Sequence, residues 1–182
     1  MNADRVVEAT QRWIANVVIG LNLCPFARRV FDGLLIRYTV SDATDAESLR
    51  AALAVELRTL ADAPIEQVET AFLIHPFALG EFLDYNDFVV EIESLIAELG
   101  LESVIQIASF HPGYQFTGTR PDDVENYTNR SPFPMLHLLR EDSISAVNND
   151  PEALQNIPRR NMETLRRLGL AKVLALLGHG DT

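Results

Sequence analysis

The 182-residue sequence holds one cysteine, Cys24, and one lysine, Lys172. A lone cysteine cannot form an internal disulfide, which sets aside the small stapled domains of secreted proteins. No apolar run approaches the roughly 20 residues of a membrane-spanning helix. The opening stretch MNADRVVEATQRW carries acids and polar residues where a signal peptide has a basic stretch and then an apolar core. These absences predict a cytoplasmic protein with no membrane partner. Basic residues are also scarce, 15 against 26 acids, for a formal net charge of −11. Phosphate contacts need clustered Lys and Arg, so nucleic acid is not an expected partner. The motifs GxGxxG, GxxxxGK[ST], HExxH, GxSxG and CxxC are all missing, and with them the sequence signals for the commonest nucleotide, metalloprotease, hydrolase and dithiol sites.

What is present is an ordinary globular composition, 47% hydrophobic and 23% charged. A chain of this size can bury a sizeable core without a metal or disulfide. A single domain over 1–182 is expected. The negative charge is local. Asp42 to Glu102 contain 14 acids and two bases, Arg50 and Arg58, while the remainder is nearly neutral. That acidic stretch reads as two solvated helix faces.

Hydrophobic spacing places the elements. Val6, Thr10, Trp13, Val17 and Leu21 form one stripe of a helix over 4–21. Pro25 suits the first turn of a second, short helix. The runs 34–40, 68–75 and 104–110 are short, apolar and β-rich. Between them lie two helices. One is opened by Thr44 and Glu47 as a capping box and carries Leu49, Leu53, Leu57 and Leu60 inward. The other is opened by Asp84 and closed by Gly100. The expected class is therefore α/β: a central, short, mainly parallel β-α-β-α-β sheet flanked by helices, with helical N- and C-terminal segments.

Residues 111–131 break the pattern. They form a long polar loop that nevertheless contains Tyr114, Phe116 and Tyr127. At 21 residues the loop exceeds the usual length of up to about 15, so it is expected to be either disordered or functional, and its aromatics weigh against plain disorder. Ser131 and Pro132 then give an N-cap and a first-turn proline for a helix through about Asn148. Asn149-Asp150-Pro151 marks a break. A last helix carries Leu165, Leu168, Val173, Leu174 and Leu177 and ends at Gly178, so that 132–180 are the C-terminal helices.

Ligands of open parallel sheets bind beyond the carboxyl ends of the strands. His75 and His111 follow the second and third strands there, and the aromatic loop leaves from the same edge. On the expected helix after that loop, His137, Arg140 and Glu141 share one side. Arg130 and Asn129 stand just before it, where backbone N–H groups and a guanidinium suit an anion. Each has a plain alternative: a paired surface for the helix residues, loop packing for Tyr114 and its neighbours, a strand-end hydrogen bond for His75, and stabilisation of its own loop for His111. Cys24 precedes a proline at a helix start, where the helix dipole favours the thiolate. Three roles stay open for it: inert thiol, nucleophile, or metal ligand with His111 and His137. The segment Cys24-Pro25-Phe26-Ala27 is similar to the single-thiol sites of glutaredoxins and glutathione transferases. Those follow a strand, whereas a helix is expected here.

Four segments together resemble the bacterial domain of unknown function 1415 family. They are Leu21 to Ala27 (LNLCPFA), Asp84-Tyr85-Asn86, Gln106 to Pro112 (QIASFHP) and Asn129 to Glu141 (NRSPFPMLHLLRE). The resemblance runs from about Trp13 to Gly169. It implies that the Cys-Pro-Phe-Ala, Phe-His-Pro and Asn-Arg-Ser-Pro segments belong to the family's pattern. It brings no activity with it.

The sequence leads to an enzyme acting on a small, anionic molecule at the carboxyl edge of the sheet. Cys24, His111 and His137 are the catalytic candidates. Arg130, Arg140, Asn129, Tyr114 and Glu141 are the binding candidates, with no metal site assigned and no cofactor indicated. A non-catalytic small-molecule-binding or regulatory module and a metal-dependent enzyme are the alternatives.

Overall fold

The three expected strands form in a computed structural model that describes residues 2–147 and 155–177. They are β1 (Ile36–Val40), β2 (Thr70–Ile74) and β3 (Ile105–Phe110). All three run in one direction, but the sheet is mixed rather than mainly parallel. A fourth strand, β4 (Met135–Arg140), runs antiparallel between β2 and β3 and gives the order β1-β2-β4-β3. A helix was expected over these residues.

The reason is visible in the side chains. Met135, His137 and Leu139 alternate with Leu136, Leu138 and Arg140, and Leu136 and Leu138 pack into a different core cluster from Met135. A strand covered on both faces shows one continuous apolar run, which reads equally well as a buried helix. The expected cap is also absent. The Ser131 hydroxyl donates to the Phe133 carbonyl at 2.6 Å instead of accepting a helix amide. Only the end of the expected helix exists, as α5 (Glu141–Val147).

Helices cover both faces. On one side lie α3 (Ala46–Asp62) and α4 (Phe82–Glu98), whose Leu49, Leu53, Leu57, Leu60, Phe88, Ile92 and Leu95 pack on Leu73, Leu136 and Leu138. Asp45 rather than Thr44 caps α3, accepting the Ser48 amide at 2.8 Å. Glu81 rather than Asp84 precedes α4. Gly100 takes φ 68° just beyond its last turn, where a left-handed residue releases the chain. The acidic stretch therefore does cover one face, with two exceptions. Glu56 turns inward to Arg37, and Glu69, just ahead of β2, pairs with Arg29.

The other face carries the N-terminal helix and the C-terminal pair. The expected 4–21 helix is α1 (Ala3–Trp13) followed by a π-helical segment, Ile14–Ile19. Its wider turns end on Gly20, whose N–H reaches the Ala15 carbonyl at 3.0 Å. A Cβ on Gly20 would lie 2.2 Å from the Asn16 oxygen, so this turn needs glycine. The short helix α2 (Ala27–Asp32) starts two residues later than Pro25 implied. The last expected helix is divided by Gly169, at φ 82° and ψ 152°, into α6 (Ile157–Leu168) and α7 (Leu170–Leu176). The breaks expected at Asn149-Asp150-Pro151 and Gly178 lie outside the described residues. Among the described residues, no helix is long and apolar enough to cross a membrane.

Candidate functional site

A cavity of about 620 Å³ lies between the sheet and the N-terminal side helices. Its floor is the face of the sheet that bears Phe72, His137, Ala108 and Gln106. Trp13, Ile14 and Val18 close it from α1 and the π segment. Cys24, Phe26, Ala27 and Val30 close it from the turn before α2 and from α2. Glu141, Ile144, Ile157 and Pro158 close it from α5 and α6. The walls are mostly aliphatic and aromatic, and among the described residues neither Arg nor Lys lines them.

Cross-strand register orders the floor. Tyr38, Phe72, His137 and Ala108 lie opposite one another on β1, β2, β4 and β3. The first three rings are stacked: Tyr38 on Phe72 at 5.9 Å and 7°, Phe72 on His137 at 4.0 Å and 8°. Thr70, two residues before Phe72 on β2, fixes the imidazole. Its hydroxyl donates to the Leu138 carbonyl at 2.6 Å, so His137 must donate from Nε2 to Thr70 Oγ1, at 2.7 Å. Nδ1 is then a bare acceptor. Burial pushes the His137 pKa down to about 3, which keeps the ring neutral.

Cys24 is positioned by α6. Arg160 donates to the Asn22 carbonyl at 2.9 Å and Asn161 to the Leu23 carbonyl at 2.7 Å. Asn22 turns the chain with φ 53°, a left-handed conformation that Asn tolerates. Burial raises the thiol pKa, outweighing the backbone N–H groups of Phe26 and Ala27 and the charge of Arg160. The thiolate expected at a helix start is therefore not the favoured form: α2 begins too late, and desolvation dominates.

Cys24, His137 and Glu141 are thus brought together on one cavity. The other predicted residues go elsewhere. His111 is buried beside α4; its Nε2 donates to the Leu79 carbonyl at 3.1 Å and its Nδ1 accepts the Gly113 amide at 2.9 Å. The same Nε2 assignment follows from the carbonyl partner, and burial lowers the His111 pKa. His75 is similar: Nδ1 meets the Ala78 carbonyl at 3.0 Å, Nε2 has no partner among the described residues, and burial takes its pKa to about 4. Both histidines do stand at the carboxyl edge, as strand-end hydrogen-bonding groups around Tyr85.

The aromatic loop packs on itself. Tyr114 lies against Phe82 at 5.1 Å and Phe116 at 5.0 Å. Asn129 donates to the Ser109 carbonyl at 3.2 Å. Arg130 stacks over Tyr127 and donates to the carbonyls of Tyr114 and Pro121, at 3.0 and 2.5 Å. It lines a separate groove of about 510 Å³ with Arg12 and Asn16, on the far side of Trp13. Arg140 belongs to the opposite face of the sheet. On a strand its side chain and that of His137 diverge, whereas on the expected helix they would have shared a side. Its Nη2 donates to the carbonyls of Leu60 and Ala63. Cys24, His111 and His137 do not form a metal site, and no group of three His, Cys, Asp or Glu able to hold a metal ion occurs among the described residues.

Trp13, Phe72, Gln106, Ala108 and Thr70 were not singled out from sequence. Trp13 stood in the helical stripe only as a core residue. Ala108 shapes the cavity by being small, which carries no sequence signal.

A family model described as a protein of unknown function, DUF1415, matches residues 5–175. Neither a curated protein nor a solved structure matches the chain.

Proposed function

The chain belongs to the DUF1415 family, whose function is unknown, and from its own geometry we propose that it binds a small, largely apolar molecule in the cavity over β4 and β3. One observation carries this reading. A cavity of about 620 Å³ has apolar walls and a few polar groups, namely Cys24, His137, Gln106, Glu141, Ser145 and Gln155. That size and that mixture are typical of small-molecule sites. Against the anionic ligand expected from sequence, this reading sets two observations: Arg130 and Arg140 serve backbone carbonyls, and neither Arg nor Lys lines the cavity among the described residues. The net charge of −11 leaves nucleic acid outside the reading, and the single thiol suits the cytoplasm.

The test is mass spectrometry of the purified chain under native and then denaturing conditions. A bound molecule is expected in the first and released in the second. Val18→Trp, which fills the cavity from the π segment, is expected to lose it. A native chain that carries no added mass and gains no thermal stability from any apolar compound sinks the reading.

A second reading rests on Cys24 and His137 sharing the cavity wall. It is thiol chemistry on the bound molecule. The Cys24 proton passes to Nδ1 of His137, the one imidazole nitrogen without a hydrogen, while sulfur adds to one carbon of a polarised double bond; the π electrons of that bond move to its far atom, which then takes the proton back from Nδ1. Both groups rest in their neutral forms, so that transfer belongs to the reaction and not to the resting site.

A further inference from the structure

We infer that the ligand is a planar aromatic molecule with a hydrogen-donating head, and that its ring stacks on His137 over Ala108. This deepens the small-molecule reading above and rests on it. The row across the sheet places a ring on three consecutive strands and a methyl group on the fourth. Phe72 covers one face of the His137 imidazole from the β2 side at 4.0 Å. The other face is turned toward β3, where the register partner is Ala108. Phe110, the nearest ring on that strand, is 6.4 Å away and tilted by 42°, so it does not complete the stack. Adjacent strands are about 4.8 Å apart, and a ring on the fourth strand would continue the row at stacking distance. In its place is the cavity, which His137, Ala108, Phe72 and Phe110 all line.

The polar end fixes the head group. Gln106 pairs in register with Leu139, and Glu141 is two residues further along β4 direction, at the start of α5. Both line the cavity. Among the described residues Glu141 takes part in none of the ion pairs, and no cation lines the wall. A carboxylate acceptor without a basic partner favours a hydroxyl or amine hydrogen and repels an anionic head.

Three probes separate these elements: 2-naphthol, its saturated counterpart decahydro-2-naphthol, and 2-naphthoate. Each is titrated into the full chain and followed by NMR of the His137 ring hydrogens. 2-Naphthol is expected to bind at least tenfold more tightly than either of the others, with the His137 hydrogens moving upfield under its ring. Ala108→Phe, which supplies the missing ring, is expected to abolish that binding. The probe comparison on the unaltered chain stands even if this variant folds poorly. Equal binding of decahydro-2-naphthol overturns the aromatic assignment, and equal binding of 2-naphthoate overturns the head group. Binding of 2-naphthol without a His137 shift, or binding of none of the three, overturns the inference altogether. The broader ligand reading falls only with the mass-spectrometry and Val18→Trp results, so the two failures are distinguishable.

Discussion

Arg140 donates through Nη2 to the carbonyl of Leu60, so the last residue of β4 closes the C-terminal end of α3. The same nitrogen serves Ala63 at 2.6 Å and reaches Val68 at 3.3 Å. These carbonyls belong to the last turn of a helix and to the chain leaving it, where no amide is available.

Arg140→Ala should therefore destabilise the fold by about 2–4 kcal/mol, because buried carbonyls lose a charged donor. Arg140→Lys should recover only part of this, since an ammonium lacks the planar fork. Urea denaturation measures both. Neither variant should change the molecule retained in the cavity, because Arg140 lies across the sheet from it. A change in retention with unchanged stability would place Arg140 in the site after all.

Stability should fall on acidification. His75 and His137 have folded pKa values of about 4 and about 3, below their ordinary 6.5. The unfolded chain therefore binds protons below about pH 6.5 that the folded chain refuses. Each histidine removes at most about 1.4 kcal/mol per pH unit in that window. Their contribution is fully present above pH 7 and declines toward pH 4. Urea midpoints at pH 7, 6 and 5 should drop progressively, and His137→Phe, which keeps the stack on Phe72, should flatten the decline. A stability curve level from pH 7 to 5 contradicts the buried neutral histidines.

Cys24 should behave as a shielded thiol. Burial raises its pKa, so alkylation of the native chain by iodoacetamide at pH 7.5 should be slower than that of a free cysteine. The rate should climb about tenfold per pH unit toward pH 9, following the thiolate fraction. Rapid labelling at pH 7 would instead mark an activated nucleophile and favour thiol chemistry over plain binding.

Gly20→Ala probes the π segment. A methyl group there would meet the Asn16 carbonyl oxygen at 2.2 Å, which is backbone and cannot swing aside. The expected cost is about 1–3 kcal/mol, with reduced retention of the cavity molecule because Ile14 and Val18 belong to the same turns. A fully stable Gly20→Ala chain with unchanged retention would show that the wide turn is dispensable.

The three parallel strands were readable because each is bounded by turn residues and separated by a strongly periodic helix. β4 was not. Its central position covers both faces, so Met135, Leu136, Leu138 and Leu139 erase the alternation that marks a strand. Pro132 after Ser131 imitated a helix start. That one misreading moved Arg140 to the wrong side of the sheet and separated His137 from its real neighbours, Phe72 and Thr70. The segment around Cys24 was legible from its composition. Its partners were not, because they come from α6, more than 130 residues away, and bind its backbone carbonyls rather than its thiol.

The insertion of β4 also sets an order of assembly. β2 and β3 share no hydrogen bonds, and each pairs instead with a strand that is synthesised later. Thr70 must wait for Leu139, and a separation of this length is slow to close. Until Met135–Arg140 arrive, the nascent chain exposes one edge of β2 and both edges of β3, and open edges recruit foreign strands. The centre of this sheet is thus the last part of it to be made, and a chain cut short before Met135 would lose α5, α6 and α7 and leave β2 and β3 without the strand that joins them.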